Sequence, residues 1–98
     1  MYRKDLTNPE TAWFFKAVLS LRTEEECARF FEDVATIGEV QAMAQRLRVA
    51  KLLNDGCKYS DVAEATGAST ATISRVSRCL TYGADGYKLV LNRLEKQQ

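Results

Sequence analysis

The stretch from Tyr59 to Leu80 reads YSDVAEATGASTATISRVSRCL, and four of its residues stand where a helix-turn-helix packs against itself. Ala63 is small enough to let two helices approach closely. Gly67, four residues on, can take the positive φ that ends a first helix and turns the chain. Ile73 and Val76 lie three apart, on one face of a second helix turned inward. Outward on that helix are Ser69, Thr70, Ala71, Thr72, Ser74, Arg75, Ser77 and Arg78. A short helical surface of hydroxyls and arginines suits a DNA major groove. A plain helical hairpin would explain Gly67 but not the agreement between the packing positions and that outward surface.

The flanking sequence is helical as well. Asn8 is placed to cap a first helix with Pro9 at its first position. That helix is expected to run to about Leu21, with Trp13, Val18 and Leu21 as an apolar stripe thickened by Phe14. Thr23 to Glu26 is a capping box for a second helix whose apolar face is Phe30, Phe31 and Val34. Thr36 to Glu39 is another, opening the longest helix, from about 38 to 54. Its buried stripe is expected at Val40, Met43, Leu47, Ala50 and either Leu52 or Leu53, with Gln45, Arg48 and Lys51 outward. Asn54-Asp55-Gly56 ends it. Ser60 is expected to cap the helix that closes at Thr66, and Ser69 or Thr70 the next, to about Leu80. Asp85 is expected to cap a last helix carrying Leu89, Leu91 and Leu94. With no convincing strand pattern, this predicts an all-α fold of about six short helices. The chain, 1–98, reads as one domain, with N-terminal helices over 1–36 and the helix-turn-helix over 59–80.

A chain of 98 residues buries only about two thirds of its unfolded surface. Trp13-Phe14-Phe15 and Phe30-Phe31 are more aromatic surface than a few short helices can hide, which predicts self-association. The net charge is only +1, but its distribution is uneven. Residues 1–43 carry five basic and eight acidic side chains, whereas residues 44–80 carry six and three. The positive excess therefore falls on the helix-turn-helix segment, and phosphates respond to that local patch. Cys27, Cys57 and Cys79 have no metal-ligand spacing and there is no histidine. They read as small buried apolar groups in a reducing compartment. No secretory signal and no apolar run of membrane-spanning length is evident, so a cytoplasmic location and no membrane partner are expected. Without histidine or a phosphate-binding glycine loop, and with Glu24–Glu26 explained by capping, neither catalysis nor a cofactor is expected.

The run QRLRVAKLLNDGCKYSDVAEATGASTATISRVSR, Gln45 to Arg78, resembles the tryptophan repressor superfamily, and within it the TrpR-like YerC/YecD group. The shared features are a helix with an internal R-x-R-[VI], a short loop, two DNA-reading helices with ATIS-R, and a closing Leu-rich helix. The resemblance spans residues 36–94 and implies an intertwined homodimer, in which the N-terminal and last helices of one subunit wrap the other. Two reading heads would then face successive major grooves about 34 Å apart, on a near-palindromic double-stranded operator.

Individual roles follow. Ser69 and Thr70, at a helix N-terminus, suit a phosphate, although capping is an equal explanation for Ser69, and a solvated face for Thr72. Thr70, Ala71 and Ser74 are candidates for base edges, since a small alanine can pack on a thymine methyl. Lys58, Arg75 and Arg78 are candidate phosphate contacts, with Arg48 and Lys51 adding to the field. The resemblance also implies an effector site at Arg46 and Arg75, which correspond to arginines bracketing the co-repressor indole, with Thr36 nearby. The chain departs from that pattern at Val76, where the repressor has glycine, and valine methyls would fill the ligand slot. The expectation is a homodimeric, sequence-specific regulator, a repressor that works without tryptophan. Two alternatives stand beside it: a repressor gated by another small ligand at Arg46 and Arg75, and a helical protein-interaction module without specific DNA binding.

Overall fold

A computed structural model describes residues 4–97, and among them no strand occurs. A 3-10 turn at Lys4–Leu6 precedes α1 (Pro9–Leu19), α2 (Glu24–Val34), α3 (Ile37–Asn54), α4 (Tyr59–Thr66), α5 (Thr70–Tyr82) and α6 (Gly86–Lys96). The chain divides into two compact units, one up to Val40 and one from Gln41 onward, with α3 passing from the first into the second.

In the first unit, polar residues fix the helix starts. The Asn8 side chain accepts from the Thr11 N–H at 2.8 Å and donates to the Asp5 carbonyl at 2.7 Å. Thr23 accepts from the Glu26 N–H at 3.1 Å, but the Glu26 carboxylate turns back to the Arg22 N–H, at 2.9 Å, one residue further than a standard box. The third start is fully reciprocal: Thr36 Oγ1 accepts from the Glu39 N–H at 3.1 Å, and Glu39 Oε1 accepts from the Thr36 N–H at 2.8 Å.

The bond from the Thr36 backbone N–H, and then that with its hydroxyl, hold the Glu39 carboxyl below its usual value. A depressed carboxyl stabilises the fold above its unfolded pKa, near 4.5, and that contribution disappears as pH falls through the folded value. Acidification below about pH 4.5 is therefore expected to lower the hydrogen-exchange protection factors (observed rates corrected for the intrinsic pH dependence) at the start of α3, and Glu39→Gln should remove this acid dependence. An unchanged pH profile in the variant would contradict the cap.

No residue of α1 or α2 is fully buried. Phe14 packs on Phe30 with ring centroids 6.0 Å apart, and Phe30 meets Phe31 edge-on at 5.4 Å. Beside them a cavity of about 580 Å³ is lined by Trp13, Phe14, Ala17, Phe30 and Val34. Trp13 remains 73% exposed and Leu19 82%. The stripe expected to bury Trp13 thus stays open within this chain, and α1 ends at Leu19 with Ser20 as its C-cap.

The second unit has the core: Val49 and Ala50 from α3, Val62 from α4, Ala68 from the turn, Ile73 and Val76 from α5, and Leu91 from α6. Leu47, Leu52, Leu53, Cys57, Ala63, Leu80 and Tyr87 pack around it, partly buried. The inward face of α3 keeps the expected Ala50, with Leu47, Leu52 and Leu53 packed beside it, but it differs at three positions. Val49 is fully buried, Met43 is exposed, and Gln45, expected outward, is half-buried and hydrogen-bonded. Because α3 is apolar on several sides, periodicity does not single out its packed face.

Two caps also differ from expectation. Lys58, not Ser60, occupies the N-cap of α4, without a side-chain bond, and Ser60 lies inside the helix. Asp85 stands at the N-cap of α6 with φ +65°, and its side chain makes no capping bond. The cysteines are not buried either: Cys27 and Cys79 are exposed and Cys57 half-buried. On α5, Leu80 takes the inward position beside Val76 and leaves Cys79 to solvent.

Candidate nucleic-acid interface

The turn between α4 and α5 is built almost entirely from backbone and hydroxyl bonds. Gly67 adopts φ +72° and its N–H reaches the Ala63 carbonyl at 2.8 Å, closing α4. Left-handed backbone is where glycine escapes the Cβ penalty. Thr66 Oγ1 donates to the Val62 carbonyl at 2.7 Å and accepts from the Ala68 N–H at 3.2 Å. Ala68 then drops into the core, 7% exposed. Ser69 starts α5: its Oγ accepts from the Thr72 N–H and donates to Thr72 Oγ1, both at 3.1 Å.

This assembly anchors α5 through Ile73 and Val76, each 1% exposed, and so presents its opposite side. Lys58, Ser69, Thr70, Ala71, Arg75 and Arg78 are exposed, while Thr72, Ser74 and Ser77 are half-buried. Helical spacing aligns Thr70, Ser74 and Arg78 along one line and Ala71 and Arg75 along the next. Ser69 and Thr72 are already engaged in the cap, so their hydroxyls have work apart from any ligand. Arg48 and Lys51 are exposed on α3, but Lys51 Nζ sits 2.6 Å from Asp55 Oδ2. That hydrogen bond raises the lysine pKa, and the carboxylate offsets its charge.

The residues implied as an effector site have different surroundings. Thr36 lies in the first unit, its hydroxyl accepting the capping bond. Arg46 is half-buried on α3 and Arg75 exposed on α5. Val76 fills its position within the packed core. Among the described residues no group of three His, Cys, Asp or Glu could hold a metal ion. None of the described helices is long and apolar enough to cross a membrane. Val62, Ala68 and Gln45 shape the turn yet carry no sequence signal. Two are ordinary small or branched apolar residues, and the third acts through a carbonyl 21 residues away.

A short hydroxyl- and arginine-bearing helix locked onto an all-helical core through a glycine turn defines a helix-turn-helix. The chain belongs to the Trp repressor family: the family described as Trp repressor protein matches residues 10–95. It is 50% identical over 93 residues to the Bacillus subtilis (strain 168) protein YerC, covering 95% of this chain and 89% of that protein. The crystal structure of a TrpR-like protein from Eubacterium eligens ATCC 27750 superimposes with TM-score 0.91 at 49% identity, covering 95% of this chain and 96% of that one. A candidate Trp repressor from Staphylococcus aureus gives TM-score 0.92 at 42% identity, covering 97% and 95%. The family is one of DNA-binding regulators, and its all-α architecture is the one seen here.

Proposed function

We propose that this protein is a homodimeric, sequence-specific transcriptional repressor, non-enzymatic, which occupies an operator in the cytoplasm without requiring tryptophan. The observation that carries this reading is the outward line of Thr70, Ala71, Ser74, Arg75 and Arg78 on a helix whose other side is fixed by Ile73 and Val76. Thr70, Ala71 and Ser74 touch base edges. Lys58, Arg75 and Arg78 meet phosphates, and the N-terminus of α5 at Ser69 and Thr70 adds its backbone N–H groups to the same contact. A second copy covers the exposed apolar surface of Trp13, Leu19 and Val34, and two heads then read a near-palindrome. Light scattering should return twice the 11.0 kDa chain mass; a monomer at micromolar concentration would remove the paired heads.

The function is tested by fluorescence anisotropy with a mixed-sequence duplex over a salt series. The logarithm of affinity should fall linearly with that of salt, by about 0.9 per phosphate neutralised. Absence of binding at low salt would favour a protein-interaction module instead.

Independence from tryptophan rests on Val76. Opening a ligand slot there would require moving a side chain that is 1% exposed and packed in the core, and such cores resist overfilling at about 1–3 kcal/mol. Calorimetry is expected to show no saturable tryptophan binding, and operator affinity should be the same with and without it. Saturable binding would instead put Arg46 and Arg75 back in an effector site.

A further inference from the structure

Gln45 stands outside every role assigned so far. It is half-buried on α3, and its Nε2 donates to the Thr66 carbonyl at 3.1 Å. That carbonyl belongs to the last residue of α4, where the helix has run out of internal N–H partners. The same residue anchors the turn from its other end, through the two Oγ1 bonds to Val62 and Ala68. Gly67 and Ser69, on either side of Ala68, set the exit direction of α5. A single side-chain amide therefore ties the scaffold helix to the hinge of the reading head. The apolar contacts of the core, from Val49, Val62, Ala68, Ile73 and Val76, are non-directional, whereas the amide bond has a direction.

We propose that Gln45 is a positioning residue for DNA recognition, which holds the α4–α5 turn at the angle that aims Thr70, Ala71 and Ser74 at base edges. The inference rests on the DNA-reading function proposed above. Phosphate contacts tolerate a head that rocks, because they act through charge. Base contacts do not, because they require hydrogen-bond geometry. Loss of the tether should therefore reduce sequence discrimination and leave non-specific affinity intact.

The test compares the full-length protein with Gln45→Met, which keeps length and helix propensity but has no donor, and with Gln45→Glu, which sets an acceptor against the Thr66 carbonyl. Affinities are measured well below the melting temperature for a duplex selected by the wild-type protein and for its scrambled counterpart. Amide exchange is followed at Gly67 and Ala68. Both variants are expected to lose about three- to tenfold in affinity for the selected duplex, equivalent to the roughly 0.5–1.5 kcal/mol of one hydrogen bond. Binding to the scrambled duplex should be unchanged, and exchange at Gly67 and Ala68 faster. Equal loss on both duplexes would mark general destabilisation and overturn the proposal, as would unchanged discrimination. Failure of the wild-type protein to select any duplex overturns the underlying function before a variant is compared.

Discussion

Ile73→Ala is expected to lower the unfolding free energy by about 2–5 kcal/mol, measured by urea denaturation. Ile73 is among the largest fully buried side chains and sits where α5 meets Val49, Ala50 and Val62 of the preceding helices. Truncation removes its apolar transfer energy and leaves a cavity that a unit built from four short helices cannot easily close. Against a total stability of about 5–15 kcal/mol this is a large fraction, and the melting temperature should fall by roughly 4–8 °C for each kcal/mol lost. Ile73→Val, which removes one methylene, should cost only about 0.5–1.5 kcal/mol. The same residue fixes the back of the reading helix, so DNA binding at physiological temperature should fail with folding. A loss below 1 kcal/mol for the alanine variant would mean that another face of α5 is packed inward.

The second large effect lies on the opposite side of that helix. Replacing Arg75 and Arg78 by alanine removes two exposed cations from the reading surface without touching the core. Each hydrogen bond from a charged group contributes about 1.5–3 kcal/mol. The double variant should therefore lose at least a hundredfold in affinity, following the rule of about 1.4 kcal/mol per decade. Arg78→Ala alone should weaken every sequence alike and flatten the salt dependence by about 0.9 for each phosphate contact given up. Stability should change little, because surface substitutions away from caps and pairs usually stay within about 0.5 kcal/mol. Thr70→Ala should behave differently, leaving the salt slope unchanged and blurring preference at one or two base pairs. If the arginine variants bind as tightly as the wild type, the assigned surface is not the one that meets DNA.

The parts of this molecule legible in its sequence are those where one residue type answers a local demand. Gly67 takes a positive φ, Asn8, Thr23 and Thr36 cap their helices, and Ile73 and Val76 share one face of a short helix. Each signal is complete within four residues. The inward face of α3 was legible only in part: Leu47, Ala50, Leu52 and Leu53 pack as expected, but Val40, Met43 and Val49 add apolar residues around much of the helix. Only tertiary packing puts Val49 in the core and leaves Met43 out. Apolar patterning in α1 shows that Trp13 seeks cover but not whether this chain supplies it, and within the chain it stays 73% exposed. Ser60 and Asp85 have good capping chemistry at plausible positions, yet α4 has its N-cap two residues earlier, at Lys58, and the Asp85 side chain makes no capping bond. The inward role of Gln45 is not legible, since nothing near it in sequence names its partner, Thr66.

On the function proposed, Val76 is at once a core residue of the helix-turn-helix unit and the position at which a tryptophan slot would have to open. On that proposal, a head whose α5 is held from behind by Ile73 and Val76, and at its corner by Gln45, is formed before it meets DNA. Selection of bound sites from a random duplex library, in the absence of tryptophan, tests this most directly. It should enrich a near-palindrome whose half-sites lie about 10–10.5 base pairs apart, centre to centre. A library that emerges without enrichment, or becomes enriched only when tryptophan is added, would contradict a pre-formed dimeric DNA reader.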